Sequence, residues 1–190
     1  MRLGIFGGTF DPPHLGHLLP LIDAAETLGL DAVRLVPAAT QPFKVGRVAA
    51  APEHRLAMTE RLVAGIPGFS VDRAEIDRAG LSFTVDTLAT IAATERHVEL
   101  VLIVGADTFA LFDQWREPER IRELATIAVL ARGDDPRPSA GEMEGVKFLR
   151  TRRVDISSTE LRARAAKGRT IRGFVPDAVA DYIAEHRLYK

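Results

Sequence analysis

Two histidines three residues apart, His14 and His17, stand in the stretch GGTFDPPHLGH, which runs from Gly7 to His17. Imidazoles at this spacing, among glycines and prolines, can do three kinds of work. They can ligate a metal, with Asp11 as a further ligand. They can cap a helix. They can also face phosphate oxygens as donors and stabilise charge that builds on a phosphorus centre. The glycine pair Gly7-Gly8 follows an apolar run and lacks Cβ atoms, so backbone N–H groups could approach a phosphate or a base there. A simple strand-to-helix turn is the alternative. The pattern does not match G-x-G-x-x-G, and no Lys-Ser/Thr follows as in a P-loop. The chain has no cysteine, which removes disulfides, Cys-based zinc sites and thiolate nucleophiles.

A second constellation is ISSTELRAR, Ile156 to Arg164. Ser157 and Glu160 fit the S-x-x-E capping box of a helix start. Capping leaves Ser158 and Arg162 unexplained. They are four apart and share one helix face. Arg162, leaning toward the helix N-terminus, would join hydroxyls and free amides in a cradle for phosphate.

The elements that must position these residues are legible as alternating patterns. Strand-like runs are RLGIF, AVRLVP, FSVDRAEI (as an edge strand), VELVLIVGA, TIAVLAR and VKFLRTRRVDI. Helical patterns are HLLPLIDAAETLGL, PEHRLAMTERLVAG, SFTVDTLATIAATE, PERIRELA, STELRARAAKG and PDAVADYIAEHRLY. This βαβ alternation predicts an α/β fold, a doubly wound, Rossmann-like parallel sheet with helices on both faces. Such folds bind ligands beyond the carboxyl ends of their strands, where both motifs fall. Pro20 is tolerated only in a first turn, so the first helix is expected to begin near Gly16 or His17. That puts His17 at a helix N-terminus, where an anion is favoured. ARGDDPRPSAGEMEG reads as a surface loop.

At 190 residues, a single domain spanning 1–190 is expected, with 157–190 as a small C-terminal helical portion. Hydrophobic residues are 46% and charged residues 27%, a globular composition. The start carries one arginine and no apolar core of a signal peptide, and no apolar run nears a membrane span. A cytoplasmic protein without a membrane partner is expected. The net charge of −1 gives no global field for nucleic acid. From Lys147 to Arg172 there are nine basic residues and two acidic ones. They form either a solvated basic face or a site for a polyanion such as a triphosphate. Neither monomer nor oligomer is specified by these patterns.

Taken as a pair, GGTFDPPHLGH and ISSTELR resemble the nucleotidyltransferase superfamily with the HxGH signature, which is His14-Leu15-Gly16-His17 here. LSFTVDTL (81–88), VGADTFALFDQW (104–115) and VPDAVADYIAEHRLY (175–189) narrow the resemblance to bacterial nicotinate-nucleotide adenylyltransferases, along essentially the whole chain. The resemblance implies transfer of the adenylyl group of ATP to nicotinate mononucleotide, giving deamido-NAD and pyrophosphate in NAD biosynthesis. It implies in-line attack by the acceptor phosphate, without a covalent enzyme intermediate. Mg²⁺ would arrive with the triphosphate, with no dedicated carboxylate cage on the protein.

Carried over by position, His14, His17 and Arg162 are the catalytic candidates. Gly7, Gly8, Thr9 and Phe10 would line ATP through backbone atoms. Gly105, Ile156, Ser157 and Ser158 would complete its site, with Asp107 toward the ribose. Asp107 could instead cap the next helix. For the mononucleotide, Trp115 would stack on the pyridine ring, with core packing as its alternative role. Thr84 and the amides of Phe83 or Arg116 would take the carboxylate, and Lys44 the phosphate. Two departures from the family pattern bear on affinity: Gln41-Pro42-Phe43-Lys44 lacks a histidine found in many members, and Phe83 stands where tyrosine is common. A phosphopantetheine adenylyltransferase of the same fold and a non-catalytic nucleotide sensor are the competing readings.

Overall fold

The computed structural model describes residues 1–42, 50–132 and 145–190. Six strands form one parallel sheet: β1 (Arg2–Gly8), β2 (Ala32–Pro37), β3 (Phe69–Val71), β4 (Glu99–Gly105), β5 (Thr126–Arg132) and β6 (Val146–Thr151). Their order is β3-β2-β1-β4-β5-β6, and every paired neighbour is parallel. This is the Rossmann order, which reverses direction between β1 and β4.

The central strands are apolar on both faces because both faces are covered. Along β4, Val101 and Ile103 enter one core cluster and Leu100, Leu102 and Val104 the other. In β5, Ala128 and Leu130 likewise oppose Ile127 and Val129. The first cluster takes its helical residues from α1 (Leu15–Leu28), α2 (Pro52–Val63), α7 (Ser158–Ala166) and α8 (Asp177–Glu185). The second takes them from α4 (Thr84–Thr94) and α6 (Pro118–Leu124). The short α3 (Ala74–Arg78) and α5 (Ala106–Phe109) sit in loops beyond strand ends, and a 3₁₀ turn spans Phe112–Gln114.

Several elements differ from the sequence patterns. Helix α1 begins at Leu15, one residue before the earliest start expected, with His14 as its N-cap. His17 is therefore its third residue, and Pro20 lies in the second turn. A proline at that depth removes only the N–H that would reach the Gly16 carbonyl. FSVDRAEI divides between β3, which is an edge strand, and α3. The VKFLRTRRVDI strand ends at Thr151, and the last helix ends at Glu185. Helix α5 and the 3₁₀ turn lie where no element was expected. The surface loop proposed around 133–145 falls, except for Gly145, outside the described residues.

Helix α1 is tied to the chain leaving β6 by one carboxylate. Asp23 accepts the backbone N–H of Arg152 at 3.0 Å and the Arg152 guanidinium at 2.7 and 2.8 Å. Hydrogen bonding to that guanidinium holds the Asp23 carboxyl below its ordinary range. A depressed carboxylate contributes stability above the unfolded pKa and loses it as pH falls through the folded value. Asp23→Asn is therefore expected to melt a few degrees below wild type at pH 7. The gap should close as pH falls below about 3.9, the ordinary aspartate value. Thermal melts at both pH values check this, and a gap independent of pH contradicts it.

Candidate active site

A cavity of about 1040 Å³ opens at the carboxyl ends of β1 and β4, the point where strand order reverses. Both sequence motifs line it, although about 150 residues separate them.

At the end of β1, a Cβ on Gly7 would meet nothing within 4 Å, so its backbone is open on that side. Gly8 is different. A Cβ there would lie 2.8 Å from the Phe10 ring. The second glycine is thus required by Phe10, which is 1% exposed and has φ of 52°. Phe10 in turn meets the His17 ring edge-on at 5.3 Å. The Asp11-Pro12 bond that follows is cis.

His14 is buried, and its ring lies 3.8 Å from that of His17, centre to centre, tilted 33°. The His14 backbone N–H donates to His17 Nδ1 at 3.3 Å. With Nδ1 as acceptor, the proton of the neutral His17 ring belongs on Nε2. Capping and cavity lining are therefore properties of the same two residues. Gly16 between them has no room for a side chain: a Cβ would stand 2.9 Å from His14 Nδ1 and 3.2 Å from the Ile156 carbonyl oxygen. The glycine of HxGH lets the second motif lie against the first.

The second motif also grips the first directly. Ser158 Oγ donates to the Pro12 carbonyl at 2.9 Å, and Arg162 donates to the Asp11 carbonyl at 2.7 Å and to Thr159 Oγ1 at 3.2 Å. Arg162 thus reaches the hydroxyl of Thr159, not that of Ser158, and both motif residues brace the opposite loop while lining the cavity. Ser157 caps α7 by accepting the Glu160 N–H at 3.1 Å, one half of the capping box expected.

Beneath this junction lies the Asp11 carboxylate, 2% exposed. It accepts the Ala50 N–H at 3.2 Å and the Tyr189 hydroxyl at 2.8 Å, with an Arg162 nitrogen 3.8 Å away. Burial, reinforced by Asp11, pushes the Tyr189 phenol far above its ordinary value, so it remains a donor. Arg55, 1% exposed, donates to the carbonyls of Thr9, Ala38, Ala39 and Ala50 at 2.6 to 3.2 Å. It binds the loops after β1 and β2 together. Burial lowers its pKa, opposed by Asp11; arginine remains charged regardless.

At the other end of the cavity stand Phe83, the N-cap of α4, Thr84, Trp115 and Arg116. Trp115 is half-buried and packs on Phe112 at 5.4 Å, so it both lines the site and joins the core. The Arg116 guanidinium lies 5.0 Å above the Phe83 ring and 3.5 Å from Asp86. Asp107 is exposed at the cavity in the first turn of α5, whose N-cap is Gly105. The alternative of Asp107 as that cap does not hold.

The structure brings every anticipated site residue into this one cavity except Lys44, which lies outside the described residues. It adds Arg55, Tyr189 and Glu75 to the surroundings. Arg55 had a faint signal, since it shares the buried face of α2 with Thr59 and Leu62 at spacings of four and seven. Tyr189 and Glu75 had none. The part lined by the two motifs presents imidazoles, hydroxyls and a guanidinium, groups that suit anionic oxygens. Among the described residues, no three His, Asp or Glu side chains are grouped to hold a metal ion.

The cytidylyltransferase-like family model matches residues 5–164. The "Probable nicotinate-nucleotide adenylyltransferase" of Gemmatimonas aurantiaca is 46% identical over 199 aligned positions, covering all of this chain and 93% of that protein. A protein of the same name from Thermus thermophilus is 46% identical with both chains fully covered. The fold is similar to that of a Plasmodium falciparum nicotinic acid mononucleotide adenylyltransferase complexed with NaAD. That match has a TM-score of 0.81 at 18% identity, over 99% of this chain and 97% of that one. With full-length relatives at this identity and the HxGH and ISST motifs facing one another across the cavity, the chain belongs to the nicotinate-nucleotide adenylyltransferase family of cytidylyltransferase-like nucleotidyltransferases.

Proposed function

We propose that this chain transfers the adenylyl group of ATP to nicotinate mononucleotide, releasing pyrophosphate and giving deamido-NAD. One observation carries the reading. A single cavity is lined by imidazoles, hydroxyls and a guanidinium beside the first core cluster and by Trp115, Phe83 and Thr84 beside the second. A triphosphate at the first and a pyridine nucleotide at the second would meet between them. The whole chain serves this one reaction, with Ile156, Ser157, Ser158, Thr159 and Arg162 supplying the second wall.

A phosphate dianion is already a competent nucleophile, so positioning and charge stabilisation carry the catalysis. His17 offers an Nε2–H donor, held in that tautomer by the His14 amide. His14, Arg162 and the amides at the start of α7 complete the anionic cradle. Gly7 to Phe10, Gly105, Ile156, Ser157 and Ser158 line the nucleotide, and Asp107 accepts from the ribose hydroxyls. Trp115 stacks on the pyridine. Thr84 and the amides of Phe83 and Arg116 take its carboxylate, and Lys44 the acceptor phosphate. The donor set of the cradle fits phosphate oxygens and not a bare cation, so Mg²⁺ enters on the triphosphate. Bound there, it neutralises phosphate charge. A cytoplasmic location rests on the need for ATP. Among the described residues no helix is long and apolar enough to cross a membrane.

Pyrophosphate release, followed with ATP and each acceptor in turn, tests the assignment. Turnover is expected with nicotinate mononucleotide. Turnover with phosphopantetheine alone would overturn the substrate, and ATP binding without turnover on any acceptor would overturn the activity. His17→Ala is expected to lower kcat by roughly 10²–10³, the usual loss for one transition-state donor, in a protein that still folds by far-UV circular dichroism. Gly16→Ala should force apart the His14 ring and the Ile156 carbonyl. We expect kcat to fall by about tenfold or more for a displacement of this size, with a folded far-UV spectrum. Wild-type turnover in that variant would show that the contact between the motifs is dispensable.

A further inference from the structure

A buried carboxyl on the acceptor side of the cavity remains without a role in the reaction as drawn. Glu75, on α3, is 7% exposed and lines the cavity. Thr87 Oγ1, 4% exposed, donates to Glu75 Oε1 at 2.6 Å. The Ser82 side chain is near the same carboxyl and favours its charged form. Ser82 Oγ also accepts the Ala39 N–H at 3.0 Å, and the Ser82 N–H donates to the Thr40 carbonyl at 2.9 Å. The Thr87 hydroxyl is further engaged by Arg78 at 3.3 Å. The Glu75 carboxyl is thus bonded to the first turn of α4, and Ser82 beside it ties the turn before α4 to the loop leaving β2. Phe83 and Thr84 lie between Ser82 and Thr87.

We infer that Glu75 is a positioning residue for the acceptor: it fixes the Phe83–Thr84 turn against the loop leaving β2 and so shapes the wall that meets the pyridine end. The inference rests on the reading of that end as the acceptor site. A residue needed only to fill space here would be apolar, because a buried carboxyl is costly unless its hydrogen bonds are made. Burial raises the Glu75 pKa, while the bond from Thr87, the nearby Ser82 side chain and the charge of Arg78 oppose the rise. The carboxyl accepts the Thr87 hydroxyl, a bond that glutamine can keep through its amide oxygen and alanine cannot. Glu75 bonds α4, which packs in the second core cluster, whereas Phe10, Leu15 and Ile156 of the two motifs pack in the first, so the effect of its loss should divide by substrate.

Steady-state kinetics on the full-length protein, with each substrate varied in turn, test this. Glu75→Ala is expected to raise KM for nicotinate mononucleotide about tenfold or more, the scale of leaving buried hydroxyls unpaired, while KM for ATP stays near wild type. Glu75→Gln should recover most of that loss. Ser82→Ala, which cuts the link at its other end, should shift the same KM in the same direction and serves if Glu75→Ala does not fold. An equal rise in both KM values, or an unchanged acceptor KM in folded Glu75→Ala or Ser82→Ala, overturns the inference. Wild-type enzyme that fails to turn over nicotinate mononucleotide overturns the substrate reading and this inference with it. Wild-type turnover with an unmoved variant KM overturns the inference alone.

Discussion

The buried carboxylate of Asp11 is the contact on which the site depends. It sits at 2% exposure beneath the HxGH turn. A charge in that position is tolerated only when its lone pairs are met. The partners come from distant parts of the chain: the Ala50 amide before α2, the Tyr189 hydroxyl after α8, and the Arg162 guanidinium on α7. The docked C-terminal segment therefore helps hold the loop after β1. Arg55 makes a parallel demand, since its guanidinium collects carbonyls from the loops after β1 and β2. Two buried charges of opposite sign thus hold the floor of the cavity, and both are satisfied mainly by groups on loops.

That floor explains how the walls meet. Helix α7 does not merely present hydroxyls and a guanidinium to a ligand. Ser158 and Arg162 hydrogen-bond the carbonyls of Pro12 and Asp11, and Gly16 leaves room for the Ile156 carbonyl. The side chains that would face phosphate are also the fasteners between the two motifs. Catalysis by positioning needs such rigidity, because small misplacements of donors are costly in rate. The acceptor end is built in the same way, with the Glu75 carboxyl fastening the turn that carries Phe83 and Thr84. In both halves a buried carboxyl lies behind the groups that line the cavity.

Much of this was legible in the chain before folding. The apolar runs of β1, β2, β4 and β5 and the amphipathic helices between them specify a covered parallel sheet, because only burial on both faces accounts for such strands. The glycine pair, the HxGH histidines and the ISST segment are local signals, readable because each depends on a turn or a helix start. Spacing rules failed where particular side-chain contacts override them. Pro20 did not delay α1 to Gly16, because the His14 cap and the His17 side chain secure an earlier start. Gly8 owes its identity to the Phe10 ring, a contact that spacing alone does not disclose.

By itself the sequence determined the fold class, the strand-end location of both motifs and the residue types available to meet phosphate there. These follow from periodicity, turn chemistry and side-chain functionality, all properties of short segments. Tertiary structure alone decided that Arg162 grips the opposite loop and that Asp11, Arg55, Tyr189 and Glu75 support the walls. Those roles arise from contacts between residues up to 178 positions apart. A hydrogen bond across that distance leaves no period or spacing in the chain, and exists only once the sheet has brought its loops together.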